Sequence, residues 1–137
     1  MLLMPIRAKY GIVVLLELAQ NGASVPIQSR LLASKCNIPH NFLEQVLLSL
    51  KKADVVKSFR GSHGGYVLNK LIEDITVYDV VKVLEGEKSM AEGYCGCKSL
   101  ESFWVQIDQD LKESLKVSLN VLLKNKQKQE KMLDYSI

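Results

Sequence analysis

The sequence predicts a mainly α-helical protein with one small β-hairpin, and three observations support this fold class. Apolar residues recur every three or four positions over residues 6–53, which is the spacing of one face of an α-helix. A glycine-rich stretch then lies between two short extended runs, a pattern typical of a β-hairpin. From Leu100 to Leu123 the helical spacing returns. We therefore expect a helical domain that includes the hairpin, followed by a long C-terminal helix.

Length and cysteine content limit the class of protein. The chain has 137 residues, which suits one domain with an appendage. The apolar run from Gly11 to Leu16 is flanked by charges and is too short to span a bilayer, so we expect a cytoplasmic protein with no membrane partner. The three cysteines are an odd number, which argues against a disulfide framework and for reduced thiols or a metal site.

Charge is distributed unevenly along the chain, whose net charge is +3. Residues 1–70 carry nine Lys or Arg and three acidic residues, which gives +6. Residues 71–137 carry nine Lys or Arg and twelve acidic residues, which gives −3. A basic half is the pattern of a nucleic-acid-binding surface, although an unevenly charged solvated surface gives the same counts.

The first predicted helix covers residues 6–20, which are apolar nearly all round after Tyr10. Asn21-Gly22 follows as a helix stop. Arg7 and Lys9 lie in the first turn of this helix. We expect them either to contact phosphate or to be solvated charges without a function.

Two short amphipathic helices are predicted next. The first spans Pro26–Lys35, where Ile27, Leu31 and Leu32 form a one-sided apolar stripe expected to face the core. The second begins at Pro39 and continues to about Ala53. A turn of three or four residues joins them. Two such helices and a short turn form a helix-turn-helix, in which the second helix enters the major groove of DNA.

The polar residues of this second helix are of the types that contact DNA. Asn41 and Gln45 can pair with adenine, and Glu44 can accept a hydrogen bond from cytosine N4. Lys51 at the far end can hold only phosphate. Gln28, predicted in the first turn of the preceding helix, either bonds phosphate or is simply solvated. Any amphipathic helix exposes polar residues, so the prediction depends on the elements around this one.

The hairpin follows directly, with extended runs at Val55–Phe59 and Tyr66–Leu68. Between them lies a cationic tip that contains glycines and no carboxylate, namely Arg60, Gly61, Ser62, His63, Gly64 and Gly65. Glycine is tolerated where backbone needs positive φ or approaches another molecule closely. A helix-turn-helix followed by such a wing indicates a winged helix-turn-helix that binds a polyanion.

The winged helix-turn-helix domain is predicted to cover residues 1–86 and to end with a helix over Val77–Glu85. The chain after it divides into three parts. Residues 87–99 lack periodicity and form a loop with Cys95 and Cys97. Residues 100–126 are predicted as one continuous helix about 40 Å long, and residues 127–137 as a flexible tail. The long helix has more apolar surface than the domain can cover, which predicts a dimerisation helix with the contacts Leu100, Trp104, Ile107, Leu111, Leu115 and Leu119. A helix folded back on its own domain is the alternative.

These motifs, in this order, resemble the Rrf-two family of bacterial winged-helix regulators. The resemblance covers about residues 6–123 and is carried by the following segments: Lys9-Tyr10-Gly11, Phe42-Leu43-Glu44-Gln45, Leu50-Lys51-Lys52-Ala53, Arg60 to Tyr66, and the helix with Trp104. It implies a homodimer that binds double-stranded DNA. It also implies that Asn41, Glu44 and Gln45 contact bases, that Arg60 enters the minor groove, and that Gly61, Ser62, His63 and Gly64 approach phosphate.

The cysteines depart from the family pattern. Cluster-binding members carry three cysteines in the loop before the long helix and a fourth, non-cysteine ligand, whereas this loop contains Cys95 and Cys97 alone. An iron–sulfur cluster would therefore need replacement ligands, such as Glu87, Glu92 or a residue of a second subunit. A thiol-based redox switch and a loop without chemistry are the alternatives. The cofactor is left open.

The sequence thus predicts a dimeric, sequence-specific transcription regulator that acts as a repressor. Its signal is expected to be the redox state or an iron–sulfur cluster, or alternatively a partner protein or a metabolite. The alternative is a winged-helix module that binds another protein without reading DNA. An enzyme is not expected, because no catalytic constellation accompanies the two histidines, His40 and His63.

Overall fold

The computed structural model describes residues 4–22 and 24–136. Within these residues the chain forms six α-helices, one 3-10 turn at Ile72–Asp74 and one two-stranded antiparallel sheet. The helices are α1 (Ile6–Gln20), α2 (Ser29–Cys36), α3 (His40–Lys52), α4 (Val77–Glu85), α5 (Lys98–Ser114) and α6 (Leu119–Ser136), and the strands are β1 (Val56–Phe59) and β2 (Gly65–Leu68). The mainly helical fold class with a small hairpin is confirmed.

Helix α1 lies at the centre of the core. Val14, Leu15 and Leu18 are almost completely buried, as its nearly all-round apolar sequence predicted. The ring of Tyr10 packs edge-on against Phe42 of α3, with the ring centroids 5.3 Å apart. These contacts fix α3 relative to the rest of the domain.

Helices α2 and α3 form the predicted helix-turn-helix. Asn37 adopts a left-handed conformation (φ 55°) at the end of α2, and the Ile38 backbone N–H donates to the Ala33 carbonyl at 3.0 Å. This is a capped helix end followed at once by a new helix. Two details of the prediction were wrong: α2 begins at Ser29 rather than Pro26, and Leu31 is half exposed instead of buried.

The wing hairpin is attached to the helices by a short bridge. Val56 pairs with Leu68 and Phe59 with Gly65. On the other edge of β2, Ile27 forms a bridge with Tyr66 through two backbone hydrogen bonds of 2.9 and 3.1 Å. Ile27 is therefore in extended backbone beside the wing, which explains why α2 starts later than predicted.

Helix α4 matches its predicted range. The Thr76 side chain accepts from the Asp79 backbone N–H, and the Asp79 carboxylate accepts from the Thr76 N–H, so the helix begins with a capping box. Gly86 ends it with a positive φ of 78°.

The predicted continuous helix over residues 100–126 was wrong, because the chain forms two helices separated by residues 115–118. The backbone of the break pairs with residues before and within α4. The Leu115 and Val117 carbonyls accept from the Tyr78 and Val77 N–H groups, each at 2.9 Å. The Leu119 N–H donates to the Ile75 carbonyl at 2.8 Å. These tertiary bonds replace helical bonds, while leucines continue at helical spacing across the break.

Helix α6 folds back onto its own domain. Leu119 and Leu123 are buried in the core, and Lys126 contacts Glu17 and Glu130 at 3.6 and 3.3 Å and also bonds Gln20. The fold-back alternative is therefore correct for this part of the chain. The flexible tail predicted for residues 127–137 was also wrong as far as the described residues go, since α6 continues to Ser136, and Ile137 lies outside them.

Candidate nucleic-acid interface

The polar face of α3 points away from the core. Its apolar residues Leu43, Val46, Leu47 and Leu50 are completely buried, and this fixes the direction of the opposite face. Asn41 and Gln45 are exposed there, and Glu44 is partly exposed. The three predicted base-contacting side chains are thus brought together on the first two turns of one helix.

Glu44 is held by neighbouring side chains. The Ser29 hydroxyl donates to Glu44 Oε1 at 2.8 Å, and His40 Nε2 lies 3.0 Å from the same oxygen. Burial first and the charge of Glu44 second raise the pKa of Tyr66, in β2 of the wing, above its usual value. The start of α2 and the first turns of α3 therefore meet around this carboxylate.

Basic residues lie in the first turn of α1 and the last turn of α3. Arg7 extends from α1 to the outer part of α3, where its guanidinium donates to the Ser49 hydroxyl at 3.4 Å. Its Nε is buried without a hydrogen-bond partner among the described residues. Lys9 and Lys51 are exposed, as phosphate contacts require.

The tip of the wing is open to solvent. Arg60, Gly61, Ser62 and His63 are exposed, and Arg60 forms no hydrogen bond or ion pair with the part of the chain that the structure describes. Gly64 differs from them because it is buried. Its N–H donates to the Gly61 carbonyl at 3.0 Å, and an added Cβ would overlap the Phe59 carbonyl oxygen. Gly64 therefore closes the turn, and its burial contradicts the expected approach of its backbone to phosphate.

Two residues position the wing in a way that the sequence did not reveal. Gln28 donates from Nε2 to the Ser62 carbonyl at 3.1 Å, so its side chain is already engaged in supporting the tip. Gly65 has a φ of 139°, and a Cβ there would overlap the backbone of Ile27 and Gln28. The unexplained second glycine of the Gly64-Gly65 pair was the one available signal for this close approach.

Helix α5 presents an apolar stripe that its own chain covers only in part. Leu100, Phe103, Trp104, Ile107 and Leu111 recur at helical spacing, and no residue of α5 is buried. Leu100 and Phe103 are about half exposed (47% and 51%). Of the other predicted dimer contacts, Leu115 is half-buried, and Leu119 is completely buried in its own core. Leu119 therefore lies outside this stripe, whereas Phe103 belongs to it.

The cysteine loop does not supply a cluster site within one chain. Among residues 4–22 and 24–136, no group of three or more His, Cys, Asp or Glu side chains could hold a metal ion. Cys95 Sγ donates to the Ala91 carbonyl at 3.0 Å. Glu87, a candidate replacement ligand, instead accepts from Tyr78 and Lys82 at 2.9 and 3.4 Å.

The two loop thiols differ in exposure and surroundings. Cys95 is half-buried, whereas Cys97 is exposed at the N-terminus of α5. Hydrogen bonds from the Ser99 hydroxyl and the Leu100 backbone N–H lower the pKa of Cys97. The loop itself is attached to α5, because Ser89 and the Met90 N–H donate to Asp108 at 2.7 and 3.0 Å.

The described residues contain no helix that is long and apolar enough to cross a membrane.

Comparison with known proteins decides the family. A family model described as "Iron-dependent Transcriptional regulator", Rrf2, matches residues 4–125. The chain belongs to the Rrf2 family. Among curated relatives, the HTH-type transcriptional regulator CymR of Bacillus subtilis (strain 168) is 34% identical over 110 residues, covering 80% of each chain.

Solved Rrf2-family structures show the same fold. The structure of CymR (YrzC), the global cysteine regulator of B. subtilis, has a TM-score of 0.80 at 32% identity and covers 91% of this chain and 98% of that one. T. potens IscR has a TM-score of 0.77 at 30% identity, covering 90% and 88%. The chain is therefore a winged helix-turn-helix transcription regulator that binds DNA, and it is not an enzyme.

Proposed function

We propose that this Rrf2 protein acts in the cytoplasm as a homodimeric repressor that binds a pseudo-palindromic site in double-stranded DNA. One observation supports this proposal above the others: the polar face of α3 lies beside a docked, cationic wing whose exposed tip contains no carboxylate. Two recognition helices related by a two-fold axis would enter successive major grooves, about 34–36 Å apart.

Each part of the surface has a separate role in this proposal. Asn41, Glu44 and Gln45 contact base edges, because their side chains are of the types that pair with them. Arg60 enters the minor groove, where a guanidinium responds to groove width and favours A·T-rich DNA. Lys9, Lys51 and the backbone of Gly61 to His63 contact phosphate, which sets register without specifying sequence.

The apolar stripe of α5 supports the dimer. Its exposed residues, Leu100, Phe103 and Leu111, present apolar area that one copy of the chain leaves in water. Burial of such residues contributes roughly 25 cal/mol per Å² of apolar area. A second α5 packed across Leu100, Phe103, Trp104, Ile107 and Leu111 would cover the stripe in both copies.

Replacement of Arg60 by alanine tests the DNA-binding surface. We expect Arg60→Ala to weaken specific binding, most strongly at sites with an A·T-rich segment at the wing, since the guanidinium that enters the minor groove is lost. Binding is measured by fluorescence anisotropy with a duplex selected by the wild-type protein. The charge-matched control is Lys128→Ala on the exposed side of α6, which should bind normally.

Unchanged affinity of the Arg60→Ala protein would contradict the wing assignment. Absence of specific binding by the wild-type protein would instead favour the protein-interaction module.

For the signal, we propose that this chain responds through the thiol of Cys97 rather than through a cluster held by one chain. Cys97 is exposed at the start of the proposed dimerisation helix, and its lowered pKa favours the reactive thiolate. A partner protein or a metabolite is the alternative source of the signal. Anaerobic purification with an iron and sulfide assay separates these cases, because a coloured, iron-containing dimer would contradict the thiol proposal.

A further inference from the structure

Two side chains, one from α2 and one from α3, converge on one carboxylate oxygen of Glu44 in the recognition helix. Ser29, at the start of α2, donates to Glu44 Oε1 at 2.8 Å. His40 Nε2 lies 3.0 Å from the same Oε1 and 3.2 Å from the Ser29 hydroxyl oxygen. In the tautomer with hydrogen on Nε2, the His40 ring donates to the same carboxylate oxygen as the Ser29 hydroxyl.

The convergence leaves the other carboxylate oxygen available. Glu44 Oε2 has no hydrogen-bond partner among the described residues, and the Glu44 side chain is 45% exposed. A free glutamate samples several rotamers, whereas a carboxylate that accepts two hydrogen bonds at one oxygen has a restricted orientation. The restriction therefore also determines where Oε2 lies relative to the polar face of α3.

Orientation matters because base contacts are directional. A carboxylate can accept a hydrogen bond from the N4 amino group of cytosine, but it meets only acceptors at the major-groove edge of guanine. A fixed Oε2 strengthens the hydrogen bond to cytosine and keeps the repulsion from the acceptors of guanine. Discrimination between DNA sites depends on both effects.

We propose that Ser29 and His40 are positioning residues that determine base specificity, because they hold the Glu44 carboxylate in the orientation that accepts from cytosine. The inference rests on the proposed DNA-binding function and adds residues outside the exposed base-contacting set. Because Ser29 lies in α2, the first helix of the helix-turn-helix affects the base preference of the second helix, α3.

The test is a double-mutant cycle on base preference. Wild-type protein first selects duplexes from a randomised pool, and each base pair of the selected half-site is then replaced in turn. Glu44→Ala should lose about 5- to 150-fold discrimination at one cytosine-containing pair. Ser29→Ala should lose about fivefold at that same pair, as expected for one hydrogen bond, and His40→Ala should weaken discrimination there too.

The second half of the cycle separates positioning from folding. In the Glu44→Ala background, Ser29→Ala should change discrimination no further, because no carboxylate remains to be held. Ser29→Thr, which keeps the hydroxyl, should restore the preference. Ser34→Ala removes an exposed hydroxyl from the same helix and should discriminate like the wild type.

Two results would overturn the inference while leaving the proposed function intact. The first is a Ser29→Ala protein that discriminates as well as, or better than, the wild type. The second is a Ser29→Ala effect of equal size with and without Glu44. Failure of the wild-type protein to select any sequence would overturn the proposed function itself, and the inference with it.

Discussion

Gly65 provides a quantitative test of how the wing is docked. Its φ of 139° lies in a region that side-chain-bearing residues rarely adopt, and an added Cβ would overlap the backbone of Ile27 and Gln28. Backbone atoms cannot move aside like the end of a flexible side chain. A Gly65→Ala protein must therefore hold a strained backbone at this residue and also separate β2 from Ile27.

The expected magnitude follows from those two costs. Holding alanine at such a backbone conformation costs about 1–3 kcal/mol. Separation also breaks the two backbone hydrogen bonds between Ile27 and Tyr66, which contribute about 1–3 kcal/mol together. We expect Gly65→Ala to lower the free energy of unfolding by about 2–6 kcal/mol if both costs are incurred.

Gly61→Ala is the matched control. Gly61 also has positive φ (103°), but nothing lies within 4 Å of a Cβ built there. Its substitution should cost the conformational strain alone, about 1–3 kcal/mol. Urea unfolding gives both values, and anisotropy titration gives the affinity for DNA, which should fall more for Gly65→Ala. Equal destabilisation by the two substitutions would refute the close approach of β2 to Ile27.

Two further predictions concern the dimer and the thiols. Leu111→Glu should convert the dimer to monomers, because a charge would be buried in the α5 stripe. The control Leu71→Glu, at another exposed leucine, should leave the dimer intact. A Leu111→Glu protein that still sediments as a dimer would contradict the proposal. Iodoacetamide should alkylate Cys97 well before Cys36, because hydrogen bonding lowers the pKa of Cys97 and burial raises that of Cys36 to about 11. At pH 8 a thiol with that pKa is on the order of 0.1% thiolate, so mass spectrometry that finds Cys36 modified first would contradict the assignment.

The sequence predicted those elements that local signals determine. Helices α1, α3 and α4 have apolar periodicity together with clear ends, such as Thr76 before α4 and Gly86 after it. The wing was detectable because few arrangements other than a hairpin tolerate three glycines beside two extended runs. Exposure of Asn41 and Gln45 followed from the burial of the opposite face of α3.

Features that depend on distant contacts were not predictable in this way. The break after Ser114 exists because residues 115–118 bond to backbone near Thr76, and leucine spacing carries no trace of that pairing. Burial of Leu119 follows from the same break. The hydrogen bond between Ser29 and Glu44 joins residues 15 positions apart, and it required the relative placement of two helices.

The most direct test of the account compares two duplexes of equal length and base composition. One carries the site selected by the wild-type protein, and the other carries the same bases in scrambled order. We predict saturable binding of one dimer to the selected duplex, at least 10³-fold tighter than to the scrambled duplex as expected for specific recognition, with affinity that falls steeply as salt increases. Equal affinity for the two duplexes at every salt concentration would contradict the claim that this protein reads DNA sequence.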